Sequence, residues 1–332
     1  MMSITAATRL FAAGAAVAVL AVAVAPASAA AAAGSAWKAA DLGSLTGGCC
    51  SSAAGINDRG DVVGESSTGT VWDPSHAVLW RHGRVIDLGA PGGGNSYATA
   101  INDAGVVVGH SDGLGATRWF NGRATALGTL GGGYTIATAV NNRGEIVGFS
   151  EVPGGMQHAF LWRAGIMSDL GAPSGGYTRA LGINDVGQVV GESSSDGMNS
   201  VPVLWDRGVM RVLDSRSGRA LDVNNHGDVV GQYSAGFLEA FLWQHGRITI
   251  LALPAEPAPT PTFIVSAIND RGQVAGAGRA HAAIWQDGVF TTLPDLAGGS
   301  SGTGINERGQ IAGYAYTAQG GSGNPTAVLW TH

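Results

Sequence analysis

From Trp37 to the end of the chain, short runs of Val, Ile, Ala, Leu and Trp alternate with clusters of Gly, Asn and Asp. Nowhere in this region does the 3.6-residue period of an amphipathic helix persist, so the pattern predicts strands throughout. A longer period lies over the short one. The motif Ile/Val-Asn-x-x-Gly-x-Val/Ile-x-Gly occurs seven times, with its asparagines at Asn57, Asn102, Asn141, Asn184, Asn224, Asn269 and Asn306. The steps between them are 45, 39, 43, 40, 45 and 37 residues, the spacing of units of about 40–45 residues that each form one four-stranded blade. An apolar run ending in tryptophan follows each motif, at Trp80, Trp119, Trp162, Trp205, Trp243, Trp285 and Trp330. Asp-Leu-Gly, clearest at 87–89 and 169–171, then leads into a glycine-rich link.

In the first full repeat the predicted strands are 53–56, 61–65, 76–80 and 84–88. The Asn-Asp-Arg-Gly link at 57–60 suits a tight hairpin, with Asn57 in an Asx-type turn and Gly60 in the left-handed position. As a calcium loop it offers too few oxygen ligands and lacks a closing Glu. The last motif is followed by only two strands, whereas 37–42 resembles a final strand with no motif before it. Pairing these two ends completes a seventh sheet and leaves no terminal edge exposed. The expected fold is therefore an all-β, seven-bladed β-propeller with four antiparallel strands per blade, its last blade closed by the N-terminal strand. The strand before each Asn is then innermost. Both short hairpin turns of a blade fall on one face of the disc. The longer links fall on the other: 66–75, 151–157, 193–200 and 317–325, with the glycine-rich links at 91–95 and 131–133. The Pro-rich insertion at 254–261 is expected to be a stiff exposed loop.

The first residues change the setting. Arg9, an apolar run from Leu10 to Val24 and Ala27-Ser28-Ala29 read as a secretory signal peptide over 1–29. A short flexible segment, 30–36, then precedes one propeller domain, 37–332. No second long apolar stretch follows, so no membrane insertion is expected after cleavage, and a secreted, extracellular monomer is the reading. With 18 Lys and Arg against 24 Asp and Glu, there is no basic stripe for a nucleic-acid partner. The only cysteines, Cys49 and Cys50, are adjacent; in an oxidising compartment they can form a vicinal disulfide at the entrance to the first blade, remain thiols or pair with another chain.

The sequence His-Ala-Phe-Leu-Trp at 158–162, followed by Asp-Leu-Gly and Ile-Asn-Asp-x-Gly-x-Val-Val-Gly, resembles the HAF repeat family of predicted extracellular bacterial proteins. The resemblance covers essentially the whole chain after the signal peptide and implies export and repetition, but no activity. The His-Ala start is intact at His76, His158 and His281 and altered in the other four repeats.

Those three histidines lie in different blades, so a repeat-specific hydrogen bond or packing role is expected rather than a shared metal, and no cofactor is implied. The strand-end tryptophans read as packing between blades. Trp72 lies outside the pattern, in the first long link beside Asp73 and Pro74, where it could stack on a sugar or tuck onto its own blade. The residues after each Val-x-Gly reach the long-link face and vary: Glu65, His110, Phe149, Glu192, Gln232, Ala277 and Tyr314. The charged ones are expected to be solvated rim positions. No common catalytic signature occurs. The expected function is binding of an extracellular glycan or protein through the long-link face, with Trp72, Glu65, His110, Phe149, Glu192, Gln232 and Tyr314 as candidate contacts. The alternative is a propeller-fold hydrolase or lyase acting on glycans, whose acids would have to converge in three dimensions.

Overall fold

Blade 1 shows how the sequence makes the unit. Its strands are Ser51–Ile56, Val62–Ser67, Ser75–Arg81 and Arg84–Gly89, paired in that order and all antiparallel. The computed structural model describes residues 36–234, 238–253, 262–317 and 323–332. The expected signal peptide, the insertion at 254–261 and part of the link at 317–325 lie outside the described residues. Seven four-stranded sheets form a ring of blades, spanning 51–89, 96–126, 135–169, 177–212, 218–250, 263–292 and 300–331. The seventh is completed by Lys38–Asp41, which pairs with Pro325–Thr331 from Lys38 opposite Thr331 to Asp41 opposite Val328. The N-terminal strand is outermost and Ser300–Ile305 innermost, as the surplus and missing strands at the chain ends predict.

The repeat motif has a steric reason. In every blade the register of the inner strand slips by one residue, between Ala53 and Gly55 in blade 1, and this bulge turns the strand past the channel. Opposite it, a Cβ on Gly64 would fall on the carbonyl oxygen of Ser52, and one on Gly191 on that of Arg179. Only glycine permits the approach. The turns between third and outer strands place His82, Asn121, Ala164, Arg207, His245 and Asp287 at positive φ, each followed by a glycine also at positive φ. That is the two-residue turn whose twist matches the flanking strands.

The core is distributed between blades. Trp119 of blade 2 packs with Val63 and Leu79 of blade 1, Trp205 of blade 4 with Val147 of blade 3, and Trp80 of blade 1 with Ala312 and Ala327 of blade 7. Trp80, Trp119, Trp205, Trp243 and Trp330 are buried, while Trp162 and Trp285 pack at the margins of their clusters. Removing one such indole costs about 3–5 kcal/mol.

Around the channel the seven motif asparagines close a circle. Each side-chain amide donates to the backbone carbonyl of the next blade's asparagine at 2.8–3.2 Å, ending with Asn306 onto Asn57. The next residue of each motif makes a second circle. The backbone N–H of Asp58, Asp103, Asn142, Asp185, Asn225, Asp270 and Glu307 donates to the side-chain oxygen of the following blade's counterpart at 2.6–2.9 Å.

Candidate ligand-binding face

The inner and outer turns of each blade lie on one face, so the molecule has two chemically different ends. The links between blades and between second and third strands lie on the other, the latter varying in length, with two residues, Arg279 and Ala280, in blade 6 and seven, 68–74, in blade 1. On the turn face, the two circles line a polar depression of about 260 Å³. One oxygen of each acid there accepts a backbone N–H from the neighbouring blade, so this face is built as a clamp. Among the described residues no group of three or more His, Cys, Asp or Glu is placed to hold a metal ion.

The three repeat histidines each pair with an acid of their own repeat. His76 Nδ1 lies 3.0 Å from Asp87 Oδ2, and His158 Nδ1 lies 2.8 Å from Asp169 Oδ2. His281 pairs with Asp295, which also accepts from the Ser300 hydroxyl. In blades 1 and 3 the same carboxylate accepts the N–H of the glycine two residues on, at 2.7 Å. The His-Ala and Asp-Leu-Gly motifs are thus two halves of one latch, and blade 7 replaces its histidine with Thr326, which donates to Asp41 at 2.7 Å.

On the long-link face, the residue after each Val-x-Gly or Ile-x-Gly pairs with the second residue of the inner strand, or in blade 4 the third. These pairs are Ser52 with Glu65, Tyr97 with His110, Ile136 with Phe149, Arg179 with Glu192, Arg219 with Gln232, Ile264 with Ala277 and Ser301 with Tyr314. In blades 2 to 4 they join into a continuous wall. Tyr97 stacks on His110 with ring centroids 5.4 Å apart, His110 meets Tyr134 at 5.9 Å, and Tyr134 meets Phe149 at 6.3 Å. The Arg179 guanidinium lies 5.1 Å from the ring centres of both Phe149 and Tyr177. Gln157 fixes it at 2.7 Å and Glu192 at 3.3 Å. His110 Nδ1 reaches the Thr135 carbonyl at 3.1 Å and, since only it can donate there, carries the proton. Burial, reinforced by Tyr134, Glu65 and Asp112, pushes the Tyr97 phenol up to about 12, so it stays a neutral donor. Glu65, at the blade 1 end of the wall, is half-buried; it makes no hydrogen bond or ion pair among the described residues, and burial raises its pKa.

The candidate contacts therefore divide. His110, Phe149 and Glu192 belong to the wall, and Glu65 adjoins it. The expectation of solvated rim charges does not hold for Glu192, which is 7% exposed, because these side chains enter the slot towards a neighbouring blade rather than pointing outward. Gln232 follows the same geometry. It is buried, donates to the Phe263 carbonyl at 3.2 Å and accepts the Val265 N–H at 3.3 Å, which staples blade 5 to blade 6. Tyr314 packs edge-on to Tyr316 in blade 7.

Trp72 is 92% exposed and does not tuck onto its blade. Its loop is nevertheless braced: Asp73 accepts the Thr70 N–H at 2.6 Å and hydroxyl at 2.9 Å, and these bonds hold the Asp73 carboxyl below its usual range. Thr68 N–H closes the loop onto the Pro74 carbonyl at 3.1 Å. Cys49 and Cys50 form a vicinal disulfide beside it, and Cys49 N–H bonds the Gly69 carbonyl at 2.9 Å.

The residues that complete the wall, Tyr97, Tyr134, Tyr177 and Arg179, lie outside the repeat motif. One signal marks three of them: each tyrosine lies within one residue of the start of an inner strand, directly after a glycine-rich link or one residue beyond it.

No family model and no curated protein matches this chain. Solved structures do, at low identity. An oligogalacturonate lyase in complex with manganese aligns at TM-score 0.55 and 11% identity, over 82% of this chain and 85% of that one. The β-propeller domain of the Trilobed protease from Pyrococcus furiosus, described as having an open velcro topology, aligns at 0.53 and 9%, over 85% and 95%. TolB from Acinetobacter baumannii aligns at 0.42 and 11% over 65% of this chain, which spans only 59% of the TolB length. The first two likenesses show the propeller fold alone.

Proposed function

We propose that this chain is an exported recognition protein whose long-link face binds an extracellular glycan. The observation that carries this reading is the wall of Tyr97, His110, Tyr134, Phe149 and Arg179 across three blades. Aromatic faces bury the apolar side of a pyranose, while phenol, imidazole and guanidinium edges satisfy its hydroxyls. The leader-like start of the chain and its resemblance to HAF repeat proteins support export.

Calorimetry of the chain from residue 30 onward against purified cell-wall and capsular polysaccharides tests this. Saturable binding weakened about three- to tenfold by Tyr134→Ala, which removes one stacking face at a 41% exposed position, is the expected result. Silence across the panel, or binding indifferent to Tyr134→Ala, would overturn it. Product analysis of the same mixtures tests the rival reading, glycan cleavage with the half-buried Glu65 as proton donor: new reducing or unsaturated ends lost in Glu65→Gln would establish it.

A further inference from the structure

Two arginines occupy the same register on neighbouring inner strands at the long-link face, Arg179 in blade 4 and Arg219 in blade 5. Their surroundings differ in one decisive way. Arg179 faces Glu192, which neutralises it, while Gln157 and two aromatic rings hold it in place. Arg219 faces Gln232, an uncharged residue whose amide is already committed to the backbone of blade 6. Arg219 is exposed, and among the described residues it makes no ion pair or hydrogen bond through its guanidinium. The nearby Arg216 is occupied: Asp214 accepts from it at 3.3 Å and it lies 3.8 Å from the centre of the Tyr233 ring. The repeat thus keeps the arginine in blade 5 but omits the acid that balances it in blade 4, one blade beyond the end of the aromatic wall.

We infer that Arg219 is a subsite for a carboxylate carried by the bound sugar, so that the preferred ligand is an acidic, uronate-containing glycan. The inference rests on the glycan reading above. A guanidinium fork with its donors uncommitted matches a planar carboxylate with two parallel hydrogen bonds. Sugar rings stacked along Tyr134 and Phe149 would run past Arg179 towards that fork. Arg179 is the poorer site, because Glu192 already balances its charge and Gln157 and Glu192 engage two of its three nitrogens.

The test is paired calorimetry with an oligouronate and its carboxyl-reduced, neutral counterpart, for the wild type, Arg219→Gln and Arg219→Lys. The expected result is a preference of about tenfold or more for the acidic ligand, weakening with added salt. In Arg219→Gln the two affinities should converge, and Arg219→Lys should restore part of the difference. Equal affinity of the wild type for both ligands, with Tyr134→Ala weakening both, would overturn the acidic subsite and leave the glycan reading standing. A preference that survives in Arg219→Gln would also overturn it. Binding of neither ligand would overturn the subsite, and silence of the wider polysaccharide panel would then remove the glycan reading as well.

Discussion

At the scale of the residue, the motif asparagine does two jobs at once. In blade 4 its Oδ1 accepts the Gln188 N–H at 2.8 Å, closing the local turn, while its Nδ2 crosses 2.8 Å to the Asn224 carbonyl of the next blade. Asn184→Ala removes both bonds and leaves the Gln188 N–H without its partner, while the Asn224 carbonyl keeps the Gly227 N–H, so urea unfolding should show a loss of about 1–3 kcal/mol. The first job is legible in Asn-Asp-x-Gly, because turn chemistry is local. The second is not, because the accepting carbonyl lies 40 residues away in the chain. Asp222 is the exception to the inner-strand pattern: it stands where other blades carry Gly55, Gly182 or Ala100, and accepts from Val223 N–H and Ile268 N–H at 2.9 Å each. Burial in the channel wall, with Asp270 adding repulsion, raises its pKa from 3.8 to about 6. The folded state then binds the proton more tightly than the unfolded chain does. The contribution of Asp222 to stability therefore grows as pH falls through about 6 towards 4, by up to roughly 3 kcal/mol, and is lost as pH rises. Asp222→Ala should be flatter than the wild type over pH 4–7 in urea unfolding, and a wild-type slope unchanged by the substitution would refute the assignment.

At the scale of the element, strand positions were readable to within a few residues because glycine and asparagine punctuate every repeat. The predicted 84–88 is Arg84–Gly89, and 76–80 is Ser75–Arg81. The long links were placed on the correct face but their interiors were not foreseen, since Trp72 is presented by a brace built from Thr70, Asp73 and the Cys49–Cys50 turn, which come from two separate segments. That turn reaches the Trp72 loop through Cys49 N–H to the Gly69 carbonyl, and its Cys50 carbonyl accepts the Ser67 N–H at 3.0 Å. Replacing both cysteines with serine frees the turn without touching the loop sequence. Faster amide exchange confined to residues 66–74, with the remaining blades unchanged, is the expected outcome. Protection identical to the wild type would mean that Asp73 and Pro74 hold the loop unaided.

At the scale of the whole molecule, the ring was legible because a sevenfold motif with a surplus strand at one end and a missing strand at the other has one economical closure. The wall was not, because its members come from single, unrepeated positions in blades 2 to 4 that become neighbours only once the blades are set side by side. Closure has a mechanical consequence. Each blade rests on two neighbours through a shared cluster such as Val147 with Trp205, and the asparagine circle returns from Asn306 to Asn57. Only blade 7 also depends on residues from the other end of the chain: Lys38–Asp41 covers the Pro325–Thr331 edge, Trp37 and Ala39 pack in the cluster containing Trp330, and Leu42 packs in the cluster beneath Trp80. A chain beginning at residue 44 leaves that edge open and thins both clusters flanking the seam, while every other interface stays intact. Unfolding of the closed ring should then be cooperative, with tryptophan fluorescence, which reports every blade, and far-ultraviolet dichroism tracing one transition in urea. In the shortened chain the two probes should separate, because blade 7 detaches before the rest, and the free edge should cause association that rises with protein concentration. A peptide spanning 36–44, supplied in trans, should restore coincidence by re-forming the missing pairings. Coincident transitions in the shortened chain without the peptide would show that the asparagine circle and the inter-blade clusters close the ring on their own.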